Sequence, residues 1–198
     1  MWYNTNTEEI ETQYLSLKEV ETMNENNKKN ISSAIKEYIY IPITLIIVYL
    51  VFGVVFRIAI VPTASMEPTY MAGSACLSYR LIEPEKLERG DIVLFRFTDD
   101  TLYVKRLIGL PGDEIVIDSG EVFVNNNKLD ESDYLSASVI TECGTSANYT
   151  VPENSFFFMG DNRTNSYDSR FWDEPFIGAD KIYGKALWNV KLPGFLFS

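Results

Sequence analysis

Ser65 and Lys105 are the two side chains in this sequence best suited to act together as a nucleophile and its base. Ser65 stands in Pro62-Thr63-Ala64-Ser65-Met66-Glu67-Pro68-Thr69. Its neighbours are small, and two prolines bracket it, each fixing φ and removing a backbone donor. A serine hydroxyl needs a base before it can attack a carbonyl, and the chain has no histidine. That excludes Ser-His-Asp and Cys-His arrangements and histidine metal ligands. A lysine can take the place of the imidazole if burial disfavours its ammonium form. Most lysines beyond residue 57 lie in polar or turn settings. Lys105 lies in Thr101-Leu102-Tyr103-Val104-Lys105-Arg106-Leu107-Ile108, where a period of two sets it on one face with Tyr103 and Leu107. Arg106 falls on the other face with Val104 and Ile108. From these stretches alone two readings of each residue stay open. Ser65 is a nucleophile or part of an ordinary juxtamembrane turn. Lys105 is a buried base or an edge-strand lysine that snorkels to water.

A third segment is chemically dense. Gly160-Asp161-Asn162-Arg163-Thr164-Asn165-Ser166-Tyr167-Asp168-Ser169-Arg170 mixes charges of both signs with Asn, Ser and Thr, between Phe156-Phe157-Phe158 and Phe171-Trp172. It reads as a surface loop, a calcium loop or a partly buried polar network. Two arginines interrupt the oxygen donors and the ligand spacing is irregular, which argues against calcium. A buried network holds its neighbours in place only if every member is satisfied.

Composition narrows the function classes. The chain has 198 residues, 46% hydrophobic and 14% aromatic, with a net charge of −11. That is enough apolar material for a packed core, and the acidity argues against a nucleic-acid partner. Cys76 and Cys143 are the only cysteines, too few for a four-thiolate zinc site. They stand as two thiols or one disulfide, with thiols favoured. Neither a Gly-x-Gly-x-x-Gly nor a P-loop is present. No cofactor and no metal are expected.

The elements that must position Ser65 and Lys105 follow in order. Residues 1–37 are polar and mixed in charge. Ile10, Tyr14 and Leu17 allow a short amphipathic helix, and a solvated, partly disordered cytoplasmic tail is the favoured reading. Residues 38–57 form the expected transmembrane helix. Tyr38 to Phe56 carries no charge and would be about 28 Å long as a helix, close to the hydrocarbon thickness. Lys28, Lys29 and Lys36 precede it and Arg57 alone follows closely, which leaves the N-terminus cytoplasmic. Residues 58–198 then read as a β-rich extracytoplasmic domain. Strands are expected at 75–79, 92–97, 102–110, 114–117, 121–124, 155–159 and 182–190, with a turn at 98–100 and a hairpin and flap excursion over 118–154. The expected fold is mainly β, an antiparallel sandwich or barrel-like domain preceded by one helix. Leu192 to Phe197 suggests a second lipid contact or core packing.

Three segments together resemble the bacterial type I signal peptidases, membrane serine proteases with a Ser/Lys dyad. They are Pro-Thr-Ala-Ser-Met-Glu-Pro-Thr from Pro62, Tyr-Val-Lys-Arg-Leu-Ile-Gly-Leu-Pro-Gly-Asp from Tyr103, and Gly-Asp-Asn-Arg-Thr-Asn-Ser-Tyr-Asp-Ser-Arg-Phe-Trp from Gly160. They occur in that family's order. Ala64 and Thr164 stand where glycine and aspartate are common. The resemblance implies Ser65 as nucleophile, Lys105 as general base, and Thr63 with the Ser65 N–H as the oxyanion hole. It implies Ser166 as the residue that holds the lysine, and Asp161, Arg106, Asp168 and Arg170 as structural support. Val61, Met66, Tyr103 and Val104 would line the substrate pockets, and counting along the strand adds Cys76.

The implied function is removal of N-terminal signal peptides from exported preproteins, by cleavage after small residues. The implied partners are preprotein signal peptides and membrane lipid, with no nucleic acid and no metal, and a monomer is expected. The implied location is the plasma membrane, spanned once. Ser65 lies eight residues beyond Arg57, so at most about 26–29 Å of extended chain separates them. Two other classes stay open: a membrane-tethered binding β-domain, and a self-cleaving Ser/Lys protease of the repressor type. The latter are soluble, whereas here an apolar run precedes the serine.

Overall fold

The computed structural model describes residues 5–97, 101–144 and 146–190. The expected turn at 98–100 and the expected lipid contact at 192–197 lie outside the described residues. The chain divides into two units, residues 1–50 and residues 51–198.

The first unit is helical. Helix α1 spans Thr5–Tyr38 and α2 spans Tyr40–Leu50. The described side chains of α1 are exposed, and its regular helix over Thr5–Tyr38 differs from the expected partly disordered chain. The physical reason is that no glycine or proline interrupts residues 5–38, and side chains one turn apart support each other, as where the Lys18 ammonium lies 5.1 Å from the Tyr14 ring centroid. In α2, Pro42 falls in the first turn, where a missing donor costs little. Among the described residues one helix, Glu11–Val55, is long and apolar enough to cross a membrane, with a mean hydropathy of 2.4 in its most apolar window.

The second unit opens with a wide helical turn at Val51–Val55, and strand β1 then occupies Phe56–Ile60. The apolar run predicts helix through Arg57 and no strand over Phe56–Ile60, and the structure differs. Gly53 and the β-branched Val51, Val54, Val55, Ile58 and Ile60 weaken helix there, and pairing with the next strand decides the outcome.

The remaining strands are β2 (Ala75–Tyr79), β3 (Ile92–Arg96), β4 (Leu102–Gly109), β5 (Glu114–Asp118), β6 (Glu121–Val124), β7 (Asn127–Lys128), β8 (Asn148–Thr150), β9 (Ser155–Met159), β10 (Ile177–Gly178) and β11 (Ile182–Val190). They form a seven-stranded sheet in the order β1-β2-β11-β3-β4-β9-β10 and a four-stranded sheet in the order β7-β6-β5-β8. All pairings are antiparallel, so the unit is mainly β, as expected.

Strand β9 divides the core. Phe157 and Met159 pack with Ile108, Ile115 and Val151. Phe156 and Phe158, on the other face, pack with Val93, Phe95, Leu107 and Trp172. A third cluster joins Val61, Met66, Tyr70, Cys76, Leu94 and Val104. It seats the segment carrying Ser65 against β2, β3 and β4.

Candidate active site

Thr63 is extended, and the chain then closes a tight 3-10 turn at Ala64–Met66. The Glu67 N–H donates to Ala64 O at 3.1 Å and the Tyr70 N–H to Met66 O at 2.8 Å. Met66 is wholly buried in the third cluster and anchors the turn. Upstream, the Val61 N–H donates to Ser74 O and the Gly73 N–H to Val61 O. Both flanks of the turn are therefore fixed. Ser65 is 8% exposed, and its hydroxyl lies 3.1 Å from the Thr63 hydroxyl.

Lys105 sits on β4 opposite Val93 of β3. It is 3% exposed, and its ammonium donates to Ser166 Oγ at 3.1 Å. This is a buried lysine, not a snorkelling one. Burial lowers its pKa to about 8; nearby Asp168 and Asp161 pull it up and Arg170 pushes it down. Ser65, Thr63, Lys105 and Ser166 all line one cavity of about 580 Å³. The Ser65 hydroxyl is hydrogen-bonded to Thr63 and the Lys105 ammonium to Ser166.

The loop from Gly160 to Arg170 is clamped from several sides. Phe158 of β9 exchanges bonds with Ser169, its N–H donating to Ser169 Oγ at 2.9 Å and its C=O accepting from the Ser169 N–H at 3.1 Å. Asp168 and Arg170 form a fully buried bidentate pair at 2.8 and 2.9 Å, and the Gly160 N–H donates to Asp168. Asp161 and Arg106 form a second bidentate pair with both contacts at 2.7 Å. Thr69 Oγ1 donates to Asp161 at 2.5 Å, tying in the segment after Ser65. Position 160 must be glycine. A Cβ there would lie 2.2 Å from Ser166 Oγ and 2.4 Å from Ser65 O.

The structure places Val61, Tyr103 and Val104 in the cavity wall. Met66 and Cys76 were also expected there. Both are wholly buried, in the cluster that also holds Val61 and Val104. Counting along a strand gives a face but not a depth. Both cysteines are free, Cys76 buried and Cys143 exposed.

Four residues at the site had no assigned role in the sequence reading. Asn162 holds the turn directly, its N–H donating to Ser65 O at 3.1 Å and its Nδ2 to Ala64 O at 3.0 Å. Arg163 is buried and paired with Glu131, and also donates to Thr141 Oγ1 at 2.8 Å. The Tyr134 ring covers the Arg106 guanidinium at 3.8 Å. Position inside the motif could have pointed to Asn162 and Arg163. Nothing local marks Glu131 or Tyr134, because both come from the irregular excursion.

One opening remains on β4. Strand β3 pairs with Leu102–Arg106, while β9 meets only Arg106, Leu107 and Gly109. On the β9 side, Leu102 to Lys105 have no strand partner among the described residues. An extended peptide could pair there, with alternate side chains entering the cavity.

The sequence profile of the family described as "Signal peptidase, peptidase S26" matches residues 35–190. "Probable signal peptidase I-2" of Synechocystis sp. is 39% identical over 150 residues, covering 69% of this chain. The match spans 65% of that relative's own length, just under two thirds. "Signal peptidase I P" of Bacillus subtilis subsp. natto is 38% identical over 152 residues, covering 72% of this chain and 80% of the relative. A crystal structure of a signal peptidase I from Enterococcus faecalis V583 is 31% identical, covers 52% of this chain and 97% of its own, and superposes with a TM-score of 0.41.

Proposed function

The chain belongs to the signal peptidase family, peptidase S26, and from that premise we propose that it is a membrane-anchored serine endopeptidase. It removes N-terminal signal peptides from exported preproteins, cutting after small residues. Ser65 is the nucleophile and Lys105 the general base. The observation that carries this reading is the pairing of a 3%-exposed Lys105, with a pKa of about 8, and Ser65 in one cavity.

The mechanism begins when substrate enters and the Ser65 hydroxyl turns from Thr63 towards Lys105. Catalytic hydrogen bonds commonly tighten only in the bound complex. Neutral Lys105 takes the hydroxyl proton as Ser65 Oγ attacks the scissile carbonyl. Thr63 Oγ1, released from Ser65, and the Ser65 N–H stabilise the oxyanion. Loss of one such donor typically costs about 10²–10³ in rate. The Lys105 ammonium then protonates the leaving amine. A water deprotonated by the same lysine hydrolyses the ester. Ser166 keeps the amine aimed throughout. Asp161, Arg106, Asp168 and Arg170 hold the frame and take no part in proton transfer.

The specificity follows from depth. Val61 and Val104 share a buried cluster with Met66 and Cys76, which keeps the pocket shallow, so a small side chain before the bond fits and a large one does not. The apolar run within Glu11–Val55 crosses the plasma membrane once, with the preceding residues in the cytoplasm and the catalytic domain outside. The short chain from Arg57 to Ser65 then keeps the site near the lipid surface, where a signal peptide emerges.

The test is to incubate the full chain, purified in detergent, with a secretory preprotein and to sequence the N-terminus of the product. A single cut after a small residue at the end of the signal segment is expected. Cuts scattered through the mature region, or none, would contradict the reading.

A further inference from the structure

By sequence, the end of the apolar run has one nearby basic residue, Arg57. The fold gathers more. The guanidinium carbons of Arg57, Arg80 and Arg96 lie 6.0, 4.8 and 5.5 Å from the centroid of a single ring, that of Tyr183. Arg80 and Arg96 also line a cavity of about 300 Å³ with Lys181, Val54 and Leu81. Asp180 is the one carboxylate in that lining. In a chain of net charge −11, this is a local reversal of sign.

An aromatic face attracts one guanidinium well, but cations gathered on one ring repel each other. Among the described residues, Arg57, Arg80 and Lys181 make no ion pair. The Arg80 Nε–H is buried with no hydrogen-bond partner. An anion with several acceptor oxygens would offset that repulsion, and guanidinium groups match phosphate oxygens in paired fashion.

The rim of the cavity chooses between sources of phosphate. Val54 is 49% exposed and Leu81 is 57% exposed, and Val54 belongs to the apolar run itself. A free phosphate gains nothing from an apolar lip, whereas a lipid carries its phosphate beside acyl chains. We propose that this pocket binds the phosphate of a phospholipid headgroup, with Arg80 and Lys181 as the cationic contacts and Val54 and Leu81 against the lipid's apolar part. The site rests on the reading that the apolar run spans a membrane. It would fix the height of the domain above the bilayer.

The experiment uses the full chain purified in a neutral maltoside detergent. It is titrated with dihexanoyl phosphatidylglycerol below its micellar concentration, and in parallel with inorganic phosphate, following phosphorus-31 line broadening. Saturable lipid binding is expected, with inorganic phosphate at least about tenfold weaker. Each basic contact at a lipid surface is worth about fivefold or more. Arg80→Gln and Lys181→Gln should therefore each weaken lipid binding by about five- to tenfold, and Arg80→Lys should recover part of the loss. Lys181 is exposed, so its substitution tests the site even if Arg80→Gln folds poorly. Unchanged affinity in both variants overturns the proposal. Equal binding of inorganic phosphate also overturns it, leaving a free-anion site. Alkaline carbonate extraction of membranes separates this from the span: release of the wild-type chain sinks the span reading, and retention with unaltered lipid affinity sinks only the lipid site.

Discussion

The Nζ of Lys105 lies 3.1 Å from the Oγ of Ser166, with the lysine 3% exposed. That single bond orients an amine whose stem is already held in the sheet. Because burial lowers its pKa to about 8, the neutral form is abundant in mildly alkaline solution. In the proposed dyad the neutral amine is the base, so the log of kcat/KM should rise with pH through an apparent pKa of about 8 and then level off. A profile flat between pH 6 and 9 would remove Lys105 from the role of base.

The same burial makes Lys105 a cost to the fold. Its pKa is lower in the folded chain than in the unfolded one, so the unfolded state binds more protons between about pH 8 and 10.5. Stability from this group therefore rises with pH across that window and is lowest below it. Replacing Lys105 with Met removes the buried charge. We expect Lys105→Met to abolish cleavage while raising stability at pH 7 by about 1–3 kcal/mol, read by urea denaturation. A destabilised variant would show that the ammonium is better compensated than its partners suggest.

Asn162 holds the turn that carries Ser65. Its side chain reaches Ala64 O while its N–H reaches Ser65 O. Asn162→Ala keeps the backbone bond and loses the other. One such bond contributes about 1 kcal/mol, so kcat should fall about fivefold with KM within about twofold. Steady-state kinetics on a peptide substrate would separate this from a binding role, which would raise KM instead.

The excursion is fastened to the site by the Arg163–Glu131 pair, whose arginine side chain is fully buried. Glu131→Gln leaves that guanidinium without its charge partner. Breaking a buried pair typically costs about 3–5 kcal/mol. We expect a large fall in the urea midpoint with an unchanged pH profile. A loss below about 1 kcal/mol would mean that Thr141 and Gly160 O suffice for Arg163.

Strand positions were legible because alternation and turn residues mark them locally: β2, β6, β9 and β11 fall where the sequence reading put them. Strand β1 was not, since an apolar run of Val, Phe and Ile suits helix and strand alike and pairing with β2 settles it. The short β8 and β10 were hidden for a related reason, having too few residues to show a period. The chemistry at Ser65 and Lys105 could be suspected from a chain without histidine, because so few bases remained. The roles of Glu131 and Tyr134 could not, since each depends on contacts with residues far away in the sequence. Cys76 shows the opposite limit: counting along its strand gives a face, but not that the residue is wholly buried in the cluster with Val61 and Val104.

The decisive measurement is the rate of preprotein cleavage by Ser65→Ala and Lys105→Ala, each compared with wild type after both are shown to be folded. A Ser/Lys dyad predicts that either substitution lowers the rate by at least about 10³, with the double substitution no worse than either alone. Cleavage within about tenfold of wild type in either folded variant would contradict it.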